Sequence, residues 1–284
     1  MLSEGIHSVV DTTNELLLLY GIHKADARPD HEHPLGYGRE VYFWSFVVAL
    51  LIFTLGAGFS AYEGVTHILN PRPIENPNIS YVVLFFSMLF EGSSWIVALR
   101  KFKGKRKYAD LFRLIIHSKD APTFIVLLED SAALIGIAIA FTGVYLSVNL
   151  GEPALDGLAS VLIGITLGLT AAILARETKG LLIGEAASWK TRDSILRLAT
   201  EMDGVANANG VLSVHVAPEE ILVALSIEFE DRLRAPEIEM LVVELERRIR
   251  AAHPAVIAVF VKPQIPGRFE QDTGGHSPSG HLAT

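Results

Sequence analysis

The chain has 284 residues, of which 50% are hydrophobic; it carries a formal net charge of −8 and contains no cysteine. The acidic balance excludes a broad basic face for nucleic acid, and the lack of cysteine excludes disulfides and thiolate metal sites. The mean hydropathy of +0.36 is high for a soluble protein and predicts a membrane portion joined to a smaller soluble domain.

The first stretch, MLSEGIHSVVDTTNELLLLYGI, predicts a membrane-length helix that carries His7 and Asp11. A spacing of four residues puts both side chains on one helical face, about 40° apart. Ionisable groups at membrane depth are costly, so they face a cavity, pair with one another or bind an ion. An imidazole and a carboxylate at this spacing form half of a tetrahedral metal site, although a hydrogen-bonded pair inside a bundle fits the same pattern.

Four more apolar runs, at residues 41–69, 79–99, 121–148 and 158–175, predict about five membrane helices in all. Lysine and arginine are concentrated in the first and third of the loops between them. By the positive-inside rule, those loops and the part after the last helix are cytoplasmic. We therefore expect an integral protein of a bacterial inner (plasma) membrane.

Acidic residues interrupt two of these runs. Glu129 and Asp130 are adjacent and so differ by about 100° around their helix, which predicts that one ligates a metal while the other faces another helix, a proton path or a partner. Asp130 is the expected ligand, and Glu129 is a further candidate. Glu91, beside small residues, predicts a packing or proton-handling role. Glu63 and His67 lie near a helix end, where we expect no function.

From about residue 188 the pattern becomes that of a soluble domain. The order of elements is helix, strand, strand, helix, strand, and it predicts a small α+β sheet with helices on one face. The second strand, ILVALSIEF, alternates apolar and other residues. We expect a membrane domain over residues 1–185, a soluble domain over 186–265 that gains buried surface by dimerisation, and a disordered tail over 266–284.

Six motifs occur in order along the chain: HSVVD, DHEHPLGYGREVYFW, AYEGVTHILNPRP, KDAP, LLEDSAALIG and LLIGE. Together they resemble the cation diffusion facilitator family of metal/proton antiporters, in the subgroup related to mitochondrial zinc transporter 9-type proteins, over about residues 1–265. The resemblance implies a bundle of six membrane helices, a cytoplasmic ferredoxin-like domain, a homodimer, and a metal site between the second and fifth helices.

Site residues follow from the same resemblance. His7 and Asp11 match the ligands of the family's second helix, and Asp130 matches the aspartate of its fifth. Val126 stands where many members have a histidine, so one ligand is missing. Glu129, a backbone rotation or water would fill that gap.

Two further features of the family map onto the loops. Asp30 and His33 match a second metal site in the first loop, where His31 also lies and Tyr37 stands in place of a common second histidine. Arg39 and Glu185 resemble a basic–acidic pair that interlocks the two protomers. In the soluble domain the family's metal-binding set is mostly absent, and we expect His215 and His253 to be surface histidines.

These observations predict proton-coupled export of a divalent transition metal, bound by His7, Asp11 and Asp130 after they lose their protons. Zinc is the first choice; manganese, iron and cobalt are alternatives because the site is rich in acids. The metal is a transported substrate, and no enzymatic activity is expected.

The chain opens on the family's second helix, so we expect a longer natural protein or a truncated form. The alternative function is a non-transporting membrane scaffold with a partner-binding cytoplasmic domain. Val126 and the missing first helix favour that alternative.

Overall fold

A computed structural model of the chain describes residues 2–71, 76–103, 120–265 and 267–272, without the side chains of residues 2–8 and 101–103. The chain divides into two compact units, Met1–Leu182 and Ile183–Thr284. The first unit is helical and the second contains a sheet, while the sequence placed the boundary at residues 185 and 186.

The described part of the first unit contains five long helices: α1 (Leu2–Ala25), α2 (Glu40–Leu69), α3 (Pro77–Lys103), α4 (Ala121–Leu150) and α5 (Ala154–Ile183). Helices α2 to α5 are long and apolar enough to cross a membrane, as the four later runs predicted. Helix α1 forms where it was predicted and packs along α2. It is not among those four helices, because Asp11, Asn14 and Glu15 lower its hydropathy.

Local sequence explains how these helices begin, bend and end. Asp120 caps α4 by accepting a hydrogen bond from the Thr123 N–H, and a proline occupies the first turn, where no donor is needed. Helix α4 ends at Gly151, whose φ of 67° is a left-handed conformation that glycine adopts without strain. Helix α2 stays continuous through a π-helical stretch, Ile52–Ala57, a feature that is common at functional sites.

Helices α2 and α5 approach backbone to backbone. A Cβ atom added to Gly64 would lie 2.6 Å from the backbone nitrogen of Val161, and one added to Gly157 would lie 2.8 Å from that of Ile68. Only glycine fits at such distances. In a membrane, close approach of this kind replaces the hydrophobic effect as the source of helix association, because it maximises van der Waals contact.

The bundle has two halves that differ in packing. The packed half consists of late α1, early α2, late α3, early α4 and late α5, and its buried side chains include Leu18, Val41, Tyr42, Val48, Ala98, Phe124, Ile125, Leu127, Leu174 and Leu181. The cavity half consists of the remaining parts of the same helices and contains a cavity of about 740 Å³. The density of the first half and the open volume of the second determine where polar groups are accessible.

The second unit has the predicted order of elements: α6 (Trp189–Thr200), β1 (Val205–Ala217), β2 (Glu220–Phe229), α7 (Ala235–Ala252) and β3 (Val256–Pro263). Strand β2 is central, antiparallel to β1 and parallel to β3. The parallel pairing requires a crossover, which α7 provides. The predicted fold class, a membrane helix bundle followed by a small α+β domain, is confirmed.

The core of this unit lies on one face of the sheet. The alternating residues of β2, among them Val223, Leu225 and Ile227, are buried against Ile195 of α6 and Leu245 of α7. This is the period-two pattern of a strand with one covered face. The alternation read from the sequence is therefore confirmed.

Part of the expected disordered tail is helical. Residues Arg268–Asp272 form the short helix α8, and Phe269 is buried against Gly210, where the absence of a side chain on β1 makes room for the ring. Lys262 and Gln264 both donate hydrogen bonds to Asp272. These contacts order residues 267–272, which composition alone predicted to be disordered. The remaining residues of the expected tail, 266 and 273–284, lie outside the described part of the chain.

One of the two histidines expected at the surface is buried. His215 is only 6% exposed because its strand is covered, and its N–H donates to the carbonyl of Glu185. His253 is half-buried at the end of α7, where its Nε2 lies 2.9 Å from the Ser194 hydroxyl oxygen. Both positions are explained by packing and hydrogen bonding within the second unit.

Candidate cation site

Four of the five described helices of the first unit, α1, α2, α3 and α5, contribute polar side chains to the cavity of the cavity half, whereas α4 lines it with apolar residues. The polar residues that line it are Asp11, Thr12, Glu15, Ser60, Glu63, His67, Asn76, Ser80, Ser87, Glu91, Asp156 and Ser160. They range from the middle of α1 and α3 to the bundle end at which α2 meets α3 and α4 meets α5. Acidic groups within an apolar bundle thus face a shared open volume, as the cost of exposing them to lipid requires.

Helix α1 meets α4 through a polar contact at the inner end of this cavity. Asp11 lines the cavity and lies within hydrogen-bonding reach of Glu129. Asn14, which is fully buried, donates from Nδ2 to Glu129 Oε1 over 2.7 Å. Two ionised carboxylates at this separation repel each other, so a shared proton or a bound cation stabilises the pair.

Asp130 points elsewhere, as its 100° offset from Glu129 requires. It is buried, it is hydrogen-bonded to Ser94 of α3, and its Oδ2 atom is buried without a hydrogen-bond partner in the described part of the chain. Glu91 of α3 lies within electrostatic range of both Asp11 and Asp130. Glu129 therefore faces α1, whereas Asp130 faces α3.

The structure brings together four of the acids that the sequence singled out: Asp11, Glu91, Glu129 and Asp130. The side chain of His7 lies outside the described residues. Among the side chains that are described, no three histidines, aspartates or glutamates are arranged to hold a metal ion. The ligand roles of these residues remain predictions.

Val126 packs against the apolar core of the packed half. The position at which the sequence lacked an expected ligand is therefore occupied by ordinary apolar packing. Oxygen atoms of Glu129 and Asp130, both about one helical turn after Val126, are the donors that α4 offers.

Sequence reasoning missed two polar residues of this region. Asn14 lies three residues after Asp11, so it shares the face that carries the predicted ligands, and that spacing would have identified it. Ser94 was noted only as a small residue suited to close packing, whereas its hydroxyl contacts Asp130. Because Asn14 and Ser94 are uncharged, a search of the sequence for ionisable residues does not identify them.

A second polar contact lies near the far end of the cavity. His67 Nδ1 of α2 is 3.5 Å from Asp156 Oδ2 of α5, and both residues are partly exposed. Glu63, one turn before His67, lines the same cavity. The pair spans the two helices that approach at Gly64 and Gly157.

The first loop is ordered around Asp30. One of its oxygens accepts from the N–H groups of Glu32 and His33, and the other accepts from the Tyr37 hydroxyl over 2.6 Å. The Tyr37 hydroxyl and, to a smaller extent, the N–H groups of His33 and Glu32 hold the pKa of Asp30 below its ordinary value. The hydrogen bond to Asp30 in turn raises the pKa of Tyr37 to about 12. His33 Nδ1 lies 3.6 Å from Asp30. His31 is exposed.

The residues predicted to interlock two protomers lie in different units. Arg39 is exposed at the start of α2, and Glu185 is partly buried at the start of the second unit. Their pairing stays a prediction.

Comparisons with known proteins agree with this architecture. A family model described as the cation efflux transmembrane domain matches residues 1–183. The human mitochondrial proton-coupled zinc antiporter SLC30A9 is 32% identical over 235 residues, which cover 82% of this chain and 41% of that protein. Metal tolerance protein C4 of Arabidopsis thaliana is 31% identical over 235 residues, covering 82% of this chain and 51% of its own.

A more distant relative matches over most of its length. The cation-efflux pump FieF of Citrobacter koseri is 22% identical over 285 residues, which cover 95% of this chain and 87% of that protein. By contrast, the chain spans only about half, or less, of the length of the human antiporter and of the Arabidopsis protein. Because the family model covers well over half of the chain and the described helices and sheet have the expected order, this integral membrane protein belongs to the cation diffusion facilitator family.

Proposed function

We propose that the chain moves a divalent transition-metal cation out of the cytoplasm in exchange for protons. The observation that carries this proposal is the meeting of carboxyl groups from α1, α3 and α4, of which Asp11 and Glu91 line a cavity that extends along the bundle. Costly buried acids beside an open volume suit a site that cations and protons occupy in turn. His7, Asp11, Asp130 and Glu129 are the proposed ligands.

Proton coupling follows from the chemistry of these ligands. Imidazole and carboxyl groups bind a metal only after they lose their protons, so loading the cation releases protons and protonation displaces the cation. Glu91, which lines the cavity within electrostatic range of Asp11, is placed to take up a proton as the cation leaves. No enzymatic step is required.

The two halves of the bundle support alternating access. The cavity half exposes the acids toward the end where α2 meets α3, while the packed half closes the opposite route. Transport then requires the packed half to open as the cavity half closes, a rocking motion around a midplane site.

Zinc is the proposed cargo, supported by the name of the human relative. Manganese, iron(II) and cobalt are the alternatives, since Asp11, Glu129 and Asp130 offer oxygen and only His7 offers nitrogen. Asp30 and His33 form a proposed second site, which a cation can use only if Tyr37 releases the Asp30 carboxylate.

We further propose a homodimer in the inner membrane of a bacterium, with the second unit in the cytoplasm. The basic residues of the first and third loops support the orientation. The small sheet of the second unit and the Arg39–Glu185 pair supply the proposed dimer contacts, because a domain of this size gains stability from further burial.

Transport is tested with the purified chain in proteoliposomes that contain a zinc-sensitive dye and a pH-sensitive dye. The parent should move zinc and protons in opposite directions, and Asp11→Asn, which keeps the shape but removes the charge, should abolish both signals. Thr13→Ala is the matched control, because the exposed hydroxyl of Thr13 donates to the carbonyl of Val9 on its own helix.

Two outcomes would contradict the proposal. Flux in Asp11→Asn equal to that of the parent would remove Asp11 from the site. If the parent moves no zinc, and the pH-sensitive dye shows no proton movement with zinc, manganese, iron(II) or cobalt while the protein remains folded in the vesicles, the scaffold function predicted as the alternative would take its place.

A further inference from the structure

We infer that Asn14 is a positioning residue of the cation site, and that its amide holds the Glu129 carboxylate beside Asp11 so that both face one cation. This inference rests on the proposed function. It assigns a role to an uncharged residue and selects Glu129, rather than Asp130 alone, as the partner that α4 presents to α1.

The contact itself is specific. Asn14 lies on α1 three residues after Asp11, so both face the same side of the helix. Its Nδ2 atom donates to Glu129 Oε1 of α4 over 2.7 Å, and Glu129 is in turn within hydrogen-bonding reach of Asp11. Asp11 and Glu129 also line one small void together. Because Asn14 occupies one carboxylate oxygen of Glu129, the other oxygen can bind a cation together with Asp11 once the proton between the two carboxyl groups is lost.

The buried amide of Asn14 is energetically unfavourable compared with an apolar side chain at the same position. Asn14 has no exposed surface, and burying an amide among apolar helices is unfavourable unless its polar atoms are satisfied. When Glu129 is ionised, as it is with a cation bound, the hydrogen bond from Asn14 is of the strong, charge-assisted kind. An apolar residue of similar size would pack the same space without that cost.

An acceptor atom left over on α4 also points to a cation. Asp130 Oδ2 is buried and has no hydrogen-bond partner in the described part of the chain. A purely structural contact would leave no such acceptor, because an unsatisfied buried acceptor is destabilising. An arriving divalent cation satisfies this carboxylate oxygen directly, while Asn14 acts through the Glu129 carboxylate that it holds.

The experiment measures binding of zinc, manganese and cobalt to the purified full chain in detergent by calorimetry. Asn14→Ala should weaken binding roughly 10- to 100-fold, the usual effect of removing a group that orients a metal ligand. Thr13→Ala, one residue away on the same helix, should leave the affinity unchanged. The visible spectrum of the cobalt-loaded protein should change in Asn14→Ala, which a loss of stability alone would not produce.

A double-mutant cycle isolates the pair. If Asn14 acts through Glu129, the variant Asn14→Ala/Glu129→Ala should bind no more weakly than Glu129→Ala alone, whereas independent roles would give additive losses. Asn14→Ser, which keeps a donor in a smaller side chain, should give an intermediate affinity and serves as the variant of choice if Asn14→Ala does not fold.

The outcomes separate this inference from the proposed function. If the parent binds a cation and Asp11→Ala abolishes binding, but Asn14→Ala and Asn14→Ser bind as the parent does, this inference is wrong and the proposed site stands. Additive losses in the cycle overturn it as well. If the parent binds no cation, both are wrong.

Discussion

The packed half and the cavity half of the membrane unit are built from the same helices, yet they differ in what their side chains do. In the packed half, aromatic and aliphatic side chains such as Tyr42, Phe124 and Leu174 are fully buried against one another. In the cavity half, acids and hydroxyl groups surround an open volume of about 740 Å³. The packed half is therefore stabilised by van der Waals contact between side chains. The cavity half has fewer such contacts, and its open volume leaves the polar groups accessible to ions and water.

The packed half supplies stability to the bundle, and the cavity half holds its polar groups. Helices in a membrane associate through van der Waals packing, so an open volume costs stability that the rest of the bundle must supply. The close approach of α2 and α5 at Gly64 and Gly157 supplies part of it alongside the cavity.

The largest expected effect comes from deleting a large side chain of the packed half. Phe124→Ala should lower the free energy of unfolding by about 3–5 kcal/mol, because it leaves a cavity in a close-packed region. Phe90→Ala, at a side chain that is 68% exposed, should cost much less. Reversible unfolding in mixed micelles measures both. Equal losses would show that the two halves are packed alike.

A glycine pair tests the approach of α2 to α5. Gly64→Ala should destabilise the bundle by about 1–3 kcal/mol, since the added Cβ would lie 2.6 Å from a backbone nitrogen that cannot move alone. Gly92→Ala, with nothing within 4 Å of the new atom, should be neutral or stabilising. Thermal unfolding followed by size-exclusion chromatography compares them, and a neutral Gly64→Ala would contradict the predicted close packing.

The absence of native cysteine allows each half to be probed for access by water. A cysteine at Ser160, which lines the cavity, should react with a charged thiol reagent roughly tenfold faster than one at Ser45, which is fully buried in the packed half. Mass spectrometry of timed samples gives the rates. Equal rates at the two positions would contradict the difference in access between the halves.

The smallest effect concerns the loop between α1 and α2. The pKa of Asp30 is lowered chiefly by the Tyr37 hydroxyl and by the His33 N–H. A carboxylate with a lowered pKa stabilises the loop above its ordinary pKa and loses that contribution as the pH falls through the lowered value. In Tyr37→Phe the loss should therefore occur at a higher pH than in the parent. Hydrogen exchange of the loop amides against pH measures the midpoint, and an unchanged midpoint would contradict the role of Tyr37.

The amino-acid sequence is sufficient to predict the helices, the strands and the region of the site. Apolar runs long enough to span a bilayer required helices, because only helices satisfy backbone groups there within one segment. Alternation in ILVALSIEF required a strand with one buried face. The cost of acids at membrane depth identified Asp11, Glu91 and the Glu129–Asp130 pair as residues that need a cavity or a partner.

How these residues face one another depends on the packing of the helices, which the sequence pattern does not predict. The helical period fixes the 100° between Glu129 and Asp130, but not which of them faces α1, because the rotation of each helix is set by how its ridges pack against its neighbours. The same packing placed Asn14 on Glu129, Ser94 on Asp130 and His67 on Asp156, over separations of 115 residues in the first case. It also buried His215 and Phe269, whose surroundings come from strands and helices that are distant in sequence.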